Sequence, residues 1–236
     1  MNRRGIPLKS ARLLFVLALP LLLFSLNMDL AAHSRALYQY GLDRYGAAAR
    51  LGVAPEEVAR AGRELIAYWG SPQPEVDIMV RRGGETIQLF NQREVDHLRD
   101  VKSLIAFNRR LMLGLLGYAV VFTGVGFLLQ RRRFRAHLLY GLRWGGLLTL
   151  GLLLLLAGAA AVNFQGLFLL FHLASFSNLL WVLDPATDRL IQMFPEGFFR
   201  DATLMVVGTT AIEGLLLAGV GWWGAKKLSA GDERGV

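Results

Sequence analysis

The sequence predicts an all-α membrane protein, with four transmembrane helices and an extracytoplasmic cap made from two large loops. The 236 residues are 54% hydrophobic, and their mean hydropathy is +0.40. The apolar residues are concentrated in four stretches close to the roughly 20 residues that a helix needs to cross a bilayer. We place the spans at Leu13–Leu30, Leu111–Leu129, Trp144–Phe164 and Thr203–Gly224. Residues 1–236 are therefore predicted to form a single four-span domain.

The distribution of Lys and Arg predicts the orientation. The segments before the first span, between the second and third, and after the fourth hold 12 Lys and Arg against 2 acidic residues. The two larger loops, residues 31–110 and 165–201, hold 14 residues of each sign. Positive charge favours the cytoplasmic side, so both ends of the chain are predicted cytoplasmic and both loops extracytoplasmic. The basic pI reflects this topology, and no nucleic-acid-binding motif accompanies it.

The first span resembles a signal peptide, because basic residues precede an apolar run from Leu13 to Leu26. The run continues through Asn27–Leu30, past the usual length of a signal sequence, which favours an uncleaved anchor. The chain contains no cysteine. Disulfides, thiolate catalysis and cysteine–zinc sites are therefore excluded.

The first loop contains its own secondary structure. Pro55 followed by two acidic residues is typical of a helix start, and Ser71–Pro74 ends that helix. Further on, Val76–Val80 and Thr86–Phe90 flank Arg81–Gly84, a pattern that predicts a short β-hairpin.

Asn91 and Glu94 have the spacing of a capping box, with Asn in place of Ser or Thr. A helix is predicted to start there and to continue into the second span. His97 and Asp100 lie three residues apart on it, on one side of the helix. A carboxylate at this spacing can fix the tautomer of an imidazole and favour its cation, so Asp100 is predicted to orient His97.

The second loop is unusually apolar. Phe168–Leu173 and Leu179–Leu183 are too hydrophobic for a solvated loop and too interrupted for another span. They indicate an interfacial or re-entrant segment, with Trp181 at headgroup depth. Asp188 is predicted to cap a short helix over Leu190–Phe194.

His97 and His172 are the strongest candidates for chemistry, because histidine titrates near neutral pH and each lies in a polar and aromatic cluster. The alternative is a structural role in which the two rings hold the outer loops together, and the residues alone leave both open. His33 and His137 lack such clusters and are interpreted as structural. Glu213, in the fourth span, is interpreted as a hydrogen-bonded or protonated residue of the helix bundle.

Two long motifs resemble the bacterial lipoprotein intramolecular transacylase (Lit) family. They are HLRDVK at His97–Lys102 and FHLASFSNLLWVLDPATDRLIQMFPEGFF at Phe171–Phe199. The resemblance implies that the sn-2 acyl chain of a diacylglyceryl lipoprotein moves to the α-amine of its N-terminal cysteine, giving the lyso-form. It implies His97 and His172 as the catalytic pair, in a bacterial cytoplasmic membrane. The residues that it implies in supporting or orienting roles are Asp100, Lys102, Asn178, Trp181 and Asp184.

The resemblance implies no cofactor and no metal; its partners are a diacylated lipoprotein and membrane lipid. Three other functions remain as alternatives from the residues. Two histidines can ligate haem, the loops can form a non-enzymatic scaffold that binds lipoproteins, and Ser175 or Ser177 can form an acyl-enzyme. The sequence leaves open which histidine acts first as base.

Overall fold

The structure is a computed structural model that describes residues 6–232, and these form eight helices and one two-stranded hairpin. The elements are α1 (Ile6–Ala32), α2 (Arg35–Arg44), α3 (Ala47–Leu51), α4 (Pro55–Gly70), β1 (Met79–Arg82), β2 (Glu85–Gln88), α5 (Gln92–Gln130), α6 (Arg132–Ser175), α7 (Arg189–Met193) and α8 (Glu196–Asp232). Four of these helices, α1, α5, α6 and α8, are long and apolar enough to cross a membrane. The predicted four-span, helical fold class is therefore confirmed.

Helix α5 is longer than a membrane crossing requires. Its 39 residues extend for about 58 Å, whereas a hydrocarbon core is about 30 Å thick. The apolar part begins near Leu111, so His97 lies about 20 Å of helix before it. The predicted capping box is present, because the Asn91 N–H donates to Glu94 and the Glu94 N–H donates back to Asn91.

Helix α6 is broken at Asn163, where the backbone leaves the helical region with φ −156° and ψ 86°. The Asn163 side-chain oxygen accepts the Gly166 N–H at 2.9 Å, as an N-cap does for a new helix. The part of the second loop predicted as interfacial or re-entrant is therefore helical as far as Ser175. His172 lies in the last turn of this second helical segment.

The described chain divides into two compact units. The first comprises the described residues of Met1–Asn27, Arg109–Gly158 and Val206–Val236. Its aromatic and aliphatic core includes Phe15, Leu19, Phe122 and Phe134. The Phe15 and Phe122 rings stack with their centroids 4.8 Å apart, so α1 and α5 pack together in this unit.

Glu213 has a partner in the first unit. The Asn27 amide donates to its carboxylate at 2.7 Å and to the Leu23 carbonyl at 3.0 Å. This agrees with the interpretation of Glu213 as a hydrogen-bonded bundle residue. Nearby in the sequence, the Thr210 hydroxyl donates to the Val206 carbonyl of its own helix.

The second unit comprises Met28–Asn108 and Ala159–Met205. Helix α4 starts at Pro55 as predicted, and the predicted hairpin is present with a shorter loop than expected. Only Gly83 and Gly84 lie between the strands, at φ 61° and 91°. A two-residue loop with positive φ at both positions matches the twist of paired strands, so the two arginines expected in the loop belong to β1 instead.

Candidate active site

The two candidate histidines come together inside the second unit. The ring centroids of His97 and His172 are 6.3 Å apart, with an angle of 32° between the ring planes. His97 is 6% exposed and His172 is 8% exposed. No hydrogen bond joins the two rings among the described residues, so one bound group can contact both.

The tautomer of His172 is set by its own helix. His172 Nδ1 lies 2.7 Å from the Phe168 carbonyl oxygen, four residues earlier. A carbonyl oxygen can only accept a hydrogen bond, so Nδ1 carries the proton and donates. In the neutral ring Nε2 is then left with its lone pair, which makes it the available proton acceptor.

Aromatic rings surround the pair. The Phe168 ring meets the His172 ring edge-on, with centroids 4.4 Å apart, and the centroid of the Trp181 ring lies 4.9 Å from that of His172. Phe176 bridges the two histidines, at 5.2 Å from His97 and 5.8 Å from His172. Phe168 and Phe176 flank His172 at four-residue spacing, a helical pattern within a segment whose apolar runs predict an interfacial or re-entrant loop.

Burial controls the protonation of His97. It lowers the pKa of the imidazole to about 4, helped by the neighbouring His172, while the Asp100 carboxylate acts in the opposite direction and more weakly. The prediction that Asp100 favours the cation is therefore correct in sign but overcome by desolvation. Among the described residues, the buried His97 Nδ1 has no hydrogen-bond partner, which leaves it available to a bound group.

We expect acid to destabilise the folded protein through His97. Between pH 6.5, the ordinary histidine pKa, and about 4, His97 is protonated in the unfolded chain but remains neutral in the folded chain. Stability therefore falls as the pH drops through this window, by up to about 3 kcal/mol. Thermal unfolding in detergent at pH 7 and pH 4.5 should show a larger drop in midpoint for the wild type than for His97→Gln. Equal drops in the two proteins would contradict the conclusion that His97 causes the acid destabilisation. His33→Gln is the matched control and should behave like the wild type.

Asp100 contacts Asn178 rather than His97. The Asn178 side-chain amide donates to the Asp100 carboxylate at 2.7 Å, and the Asn178 main-chain carbonyl accepts the Trp181 indole N–H at 2.8 Å. Trp181 in turn packs on His172. The hydrogen bond of Asp100 therefore goes to Asn178, and the contacts connect Asp100 to His172 through Asn178 and Trp181.

Glu94 links the two large loops. Its side chain is 1% exposed, and besides the capping box it accepts the Leu190 N–H at the start of α7, at 2.5 Å. Asp188 lies at the N-cap position of α7 as predicted, but makes no capping bond there. Its carboxylate instead accepts hydrogen bonds from the Asn91 amide and the Asp184 N–H. Because Leu190 lies 96 residues from Glu94 in the sequence, the residues around Glu94 do not predict this second role.

Two of the predicted supporting residues shape the surrounding chain without contacting either histidine. Asp184 forms a turn, in which its carboxylate accepts the Ala186 N–H at 2.8 Å. Lys102 donates to the Ser71 hydroxyl and the Gln73 carbonyl and lies 4.0 Å from the Tyr68 ring centroid. Lys102 therefore anchors the segment that follows α4.

The serine alternative lacks a base in this arrangement. Ser175 and Ser177 follow His172 closely in the sequence, but among the described residues neither hydroxyl hydrogen-bonds to a histidine. An activated serine nucleophile normally has its base within hydrogen-bond reach, although such bonds are often longer in ligand-free enzymes. The geometry therefore favours chemistry by the two imidazoles.

Comparison with known proteins identifies similar chains. The family model described as "Lipoprotein intramolecular transacylase Lit" matches residues 13–199. The chain resembles the crystal structure of the membrane integral lipoprotein intramolecular transacylase Lit from Bacillus cereus, with a TM-score of 0.79, 24% identity, and coverage of 96% of this chain and 99% of that one. A variant of the same Bacillus cereus protein with a histidine replaced by arginine gives a TM-score of 0.74 at 23% identity, over 97% and 96% of the two chains.

A curated relative from Aquifex aeolicus (strain VF5), described as an uncharacterized protein, is 31% identical over 139 residues. That match covers 59% of this chain and 59% of the relative. The structural likeness, at under 25% identity, concerns the fold.

Proposed function

The chain belongs to the lipoprotein intramolecular transacylase (Lit) family, and from that membership we propose that it moves an acyl chain within a bacterial lipoprotein. The proposed donor is the sn-2 ester of the diacylglyceryl group, and the acceptor is the α-amine of the N-terminal cysteine. The product is the N-acylated lyso-form. The observation that carries the proposal is the pair of buried imidazoles, His97 and His172, with centroids 6.3 Å apart and no hydrogen bond between them.

The proposed reaction starts from the neutral amine, whose conjugate acid has a pKa near 8. The amine nitrogen attacks the ester carbonyl carbon, and the carbonyl oxygen becomes an oxyanion. His172 Nε2 takes the proton that the nitrogen loses. When the oxyanion collapses, the carbon–oxygen bond to glycerol breaks, and His172 returns the proton to the departing oxygen. An amide and an alcohol result, and the enzyme ends in its starting state.

His97 has a different role in this scheme. With its pKa lowered to about 4, it is neutral at pH 7 and carries one N–H. A donor N–H aimed at the oxyanion in a water-poor enclosure stabilises the transition state. We assign His97 to that task and His172 to proton transfer.

The surroundings suit a lipid substrate. Amine and ester belong to one molecule, so the site needs mainly to orient them. Large apolar side chains are exposed close to His172, including Phe171, Leu173 and Leu179. We propose that these side chains contact the acyl chains.

Mass spectrometry of lipoprotein N-termini tests the proposal directly. Cells that express the chain should contain lyso-form lipoproteins with an N-acyl group, and matched cells without it should not. Product that appears equally in both, or only diacylglyceryl lipoprotein in both, would contradict the proposed activity. Absorbance of the purified protein near 400 nm would instead support the haem alternative.

We propose a bacterial cytoplasmic membrane location with both ends of the chain in the cytoplasm. A reporter fused after Val236 or within Arg131–Arg135 should report the cytoplasm, because Lys and Arg are in excess there. A reporter inserted in Pro72–Gly84 should report the outside. A cytoplasmic signal from that loop would contradict the topology and place the histidines on the wrong side for an exported substrate.

A further inference from the structure

A groove of about 480 Å³ lies between α1 and α6 in the first unit. Lys9, Arg12 and Tyr140 line its basic end. Trp144 follows Tyr140 by one helical turn and is 44% exposed. The groove is remote in sequence from both candidate histidines, and neither lines it.

The two helices that line this groove pack closely against each other. Gly141 and Gly145 face α1, where an added Cβ would lie 2.7 Å from Phe15 Cδ1 and 2.7 Å from Leu19 Cδ2, respectively. A Cβ at either position would force the neighbouring side chain to shift, and small residues are common where membrane helices pack tightly. The matched order of the two contacts shows that α1 and α6 run in the same direction here.

The parallel helices give the groove a direction. Its lining on α6 continues from Tyr140 through Leu148 to Gly151, a rise of about 16 Å. Its lining on α1 continues from Arg12 to Val16. The groove is therefore basic and aromatic at the end where the predicted spans begin, and apolar along the spans.

The part of the first unit that the structure describes places no acidic side chain at the basic end of the groove. Within the described side chains of the first unit, Glu213 is the one acidic residue, and it accepts a hydrogen bond from Asn27. The Arg12 guanidinium lies 4.0 Å from the Tyr140 ring centroid, and its Nη1 lies 3.3 Å from His137 Nδ1. Because a guanidinium can only donate, that histidine is an acceptor and neutral. Among the described side chains of this unit, no carboxylate therefore compensates Lys9 or Arg12.

We propose that this groove binds one anionic glycerophospholipid. The phosphate lies between Lys9 and Arg12, and an acyl chain follows the apolar lining towards Gly151. Charge complementarity selects an anionic headgroup, and an apolar channel that continues from it selects a lipid over a free anion. Given the proposed topology, the lipid comes from the cytoplasmic leaflet, so it is distinct from the proposed lipoprotein substrate.

Lipid retention by the purified full-length protein tests the proposal. The protein in detergent is incubated with equal amounts of phosphatidylglycerol and phosphatidylcholine, washed, and its retained lipid is counted by native mass spectrometry. Wild type should retain about tenfold more phosphatidylglycerol, because its headgroup has a net negative charge, whereas the choline cation of phosphatidylcholine balances the phosphate. The double variant Lys9→Gln/Arg12→Gln should lose this preference. Equal retention of the two lipids by wild type would overturn the proposal.

Two further variants separate a lipid site from general charge attraction. Arg132→Gln/Arg133→Gln removes two exposed charges outside the groove lining and should keep the preference. Gly151→Leu adds bulk where a Cβ meets nothing within 4 Å, so it should fold and lower phosphatidylglycerol retention without changing charge. Loss of the preference in the first variant, or full retention in Gly151→Leu, would overturn the proposal. Displacement by inorganic phosphate would indicate a bare anion site and also contradict it.

Discussion

Replacing either His97 or His172 with alanine is expected to abolish the N-acylated lyso-form product, with a loss of about a hundred- to a thousandfold for the oxyanion donor His97 and at least about a thousandfold for the proton-transfer residue His172. His172→Ala removes the proton acceptor whose Nδ1 is held by Phe168. His97→Ala removes the neutral donor beside it. Both variants should still be found in the membrane, because the four long helices do not depend on either ring. Product is measured by mass spectrometry of the lipoprotein N-terminus.

The double variant should be little worse than either single one. Residues that act on the same transition state are strongly non-additive, because the first change already removes the reaction that the second would impair. His33→Ala is the matched control, since His33 follows α1, contacts the Asp29 carbonyl in the last turn of that helix and belongs to no proposed step. If either single variant keeps near-normal activity, the two-histidine mechanism is wrong and that histidine returns to a structural role.

The second large effect is expected from the contacts that position His172. Replacing Asp100 or Asn178 with leucine should lower turnover by more than about tenfold, as for outer partners of functional histidines. Either change leaves the Asp100–Asn178 hydrogen bond of 2.7 Å unmade. Asp100→Asn should lose much less, within about threefold, because an amide oxygen can still accept from Asn178.

The comparison of the two Asp100 variants separates two explanations. If the negative charge of Asp100 matters because it acts on His97, Asp100→Asn should lose as much activity as Asp100→Leu. If the hydrogen bond to Asn178 matters, the two variants should differ. Asp96→Asn serves as a control on the same helix, where Asp96 pairs with Arg99 at 3.0 Å.

Local patterns in the sequence predicted the elements. The four apolar stretches became α1, α5, α6 and α8, and Asn91 with Glu94 formed the expected cap of α5. These features depend on neighbours within about four residues or on hydrophobicity along one segment, so composition and spacing determine them. The break at Asn163 also has a local cause, since its side-chain oxygen accepts the Gly166 N–H. The long apolar run before Asn163 instead predicts an uninterrupted span.

Only the tertiary structure determined which residues of the candidate site contact one another and which are buried. Asp100 was placed beside His97 by helical spacing, but its hydrogen bond goes to Asn178, 78 residues away. The Glu94 carboxylate accepts the backbone N–H of Leu190, 96 residues away. The pKa of His97 is lowered because aromatic rings of a distant segment help to bury it. Spacing along one helix shows which side chains share a face. Which of them are desolvated, and which partner each polar atom finds, depends on what packs against that face, and this is why the sequence supplied the two histidines and the structure supplied their chemistry.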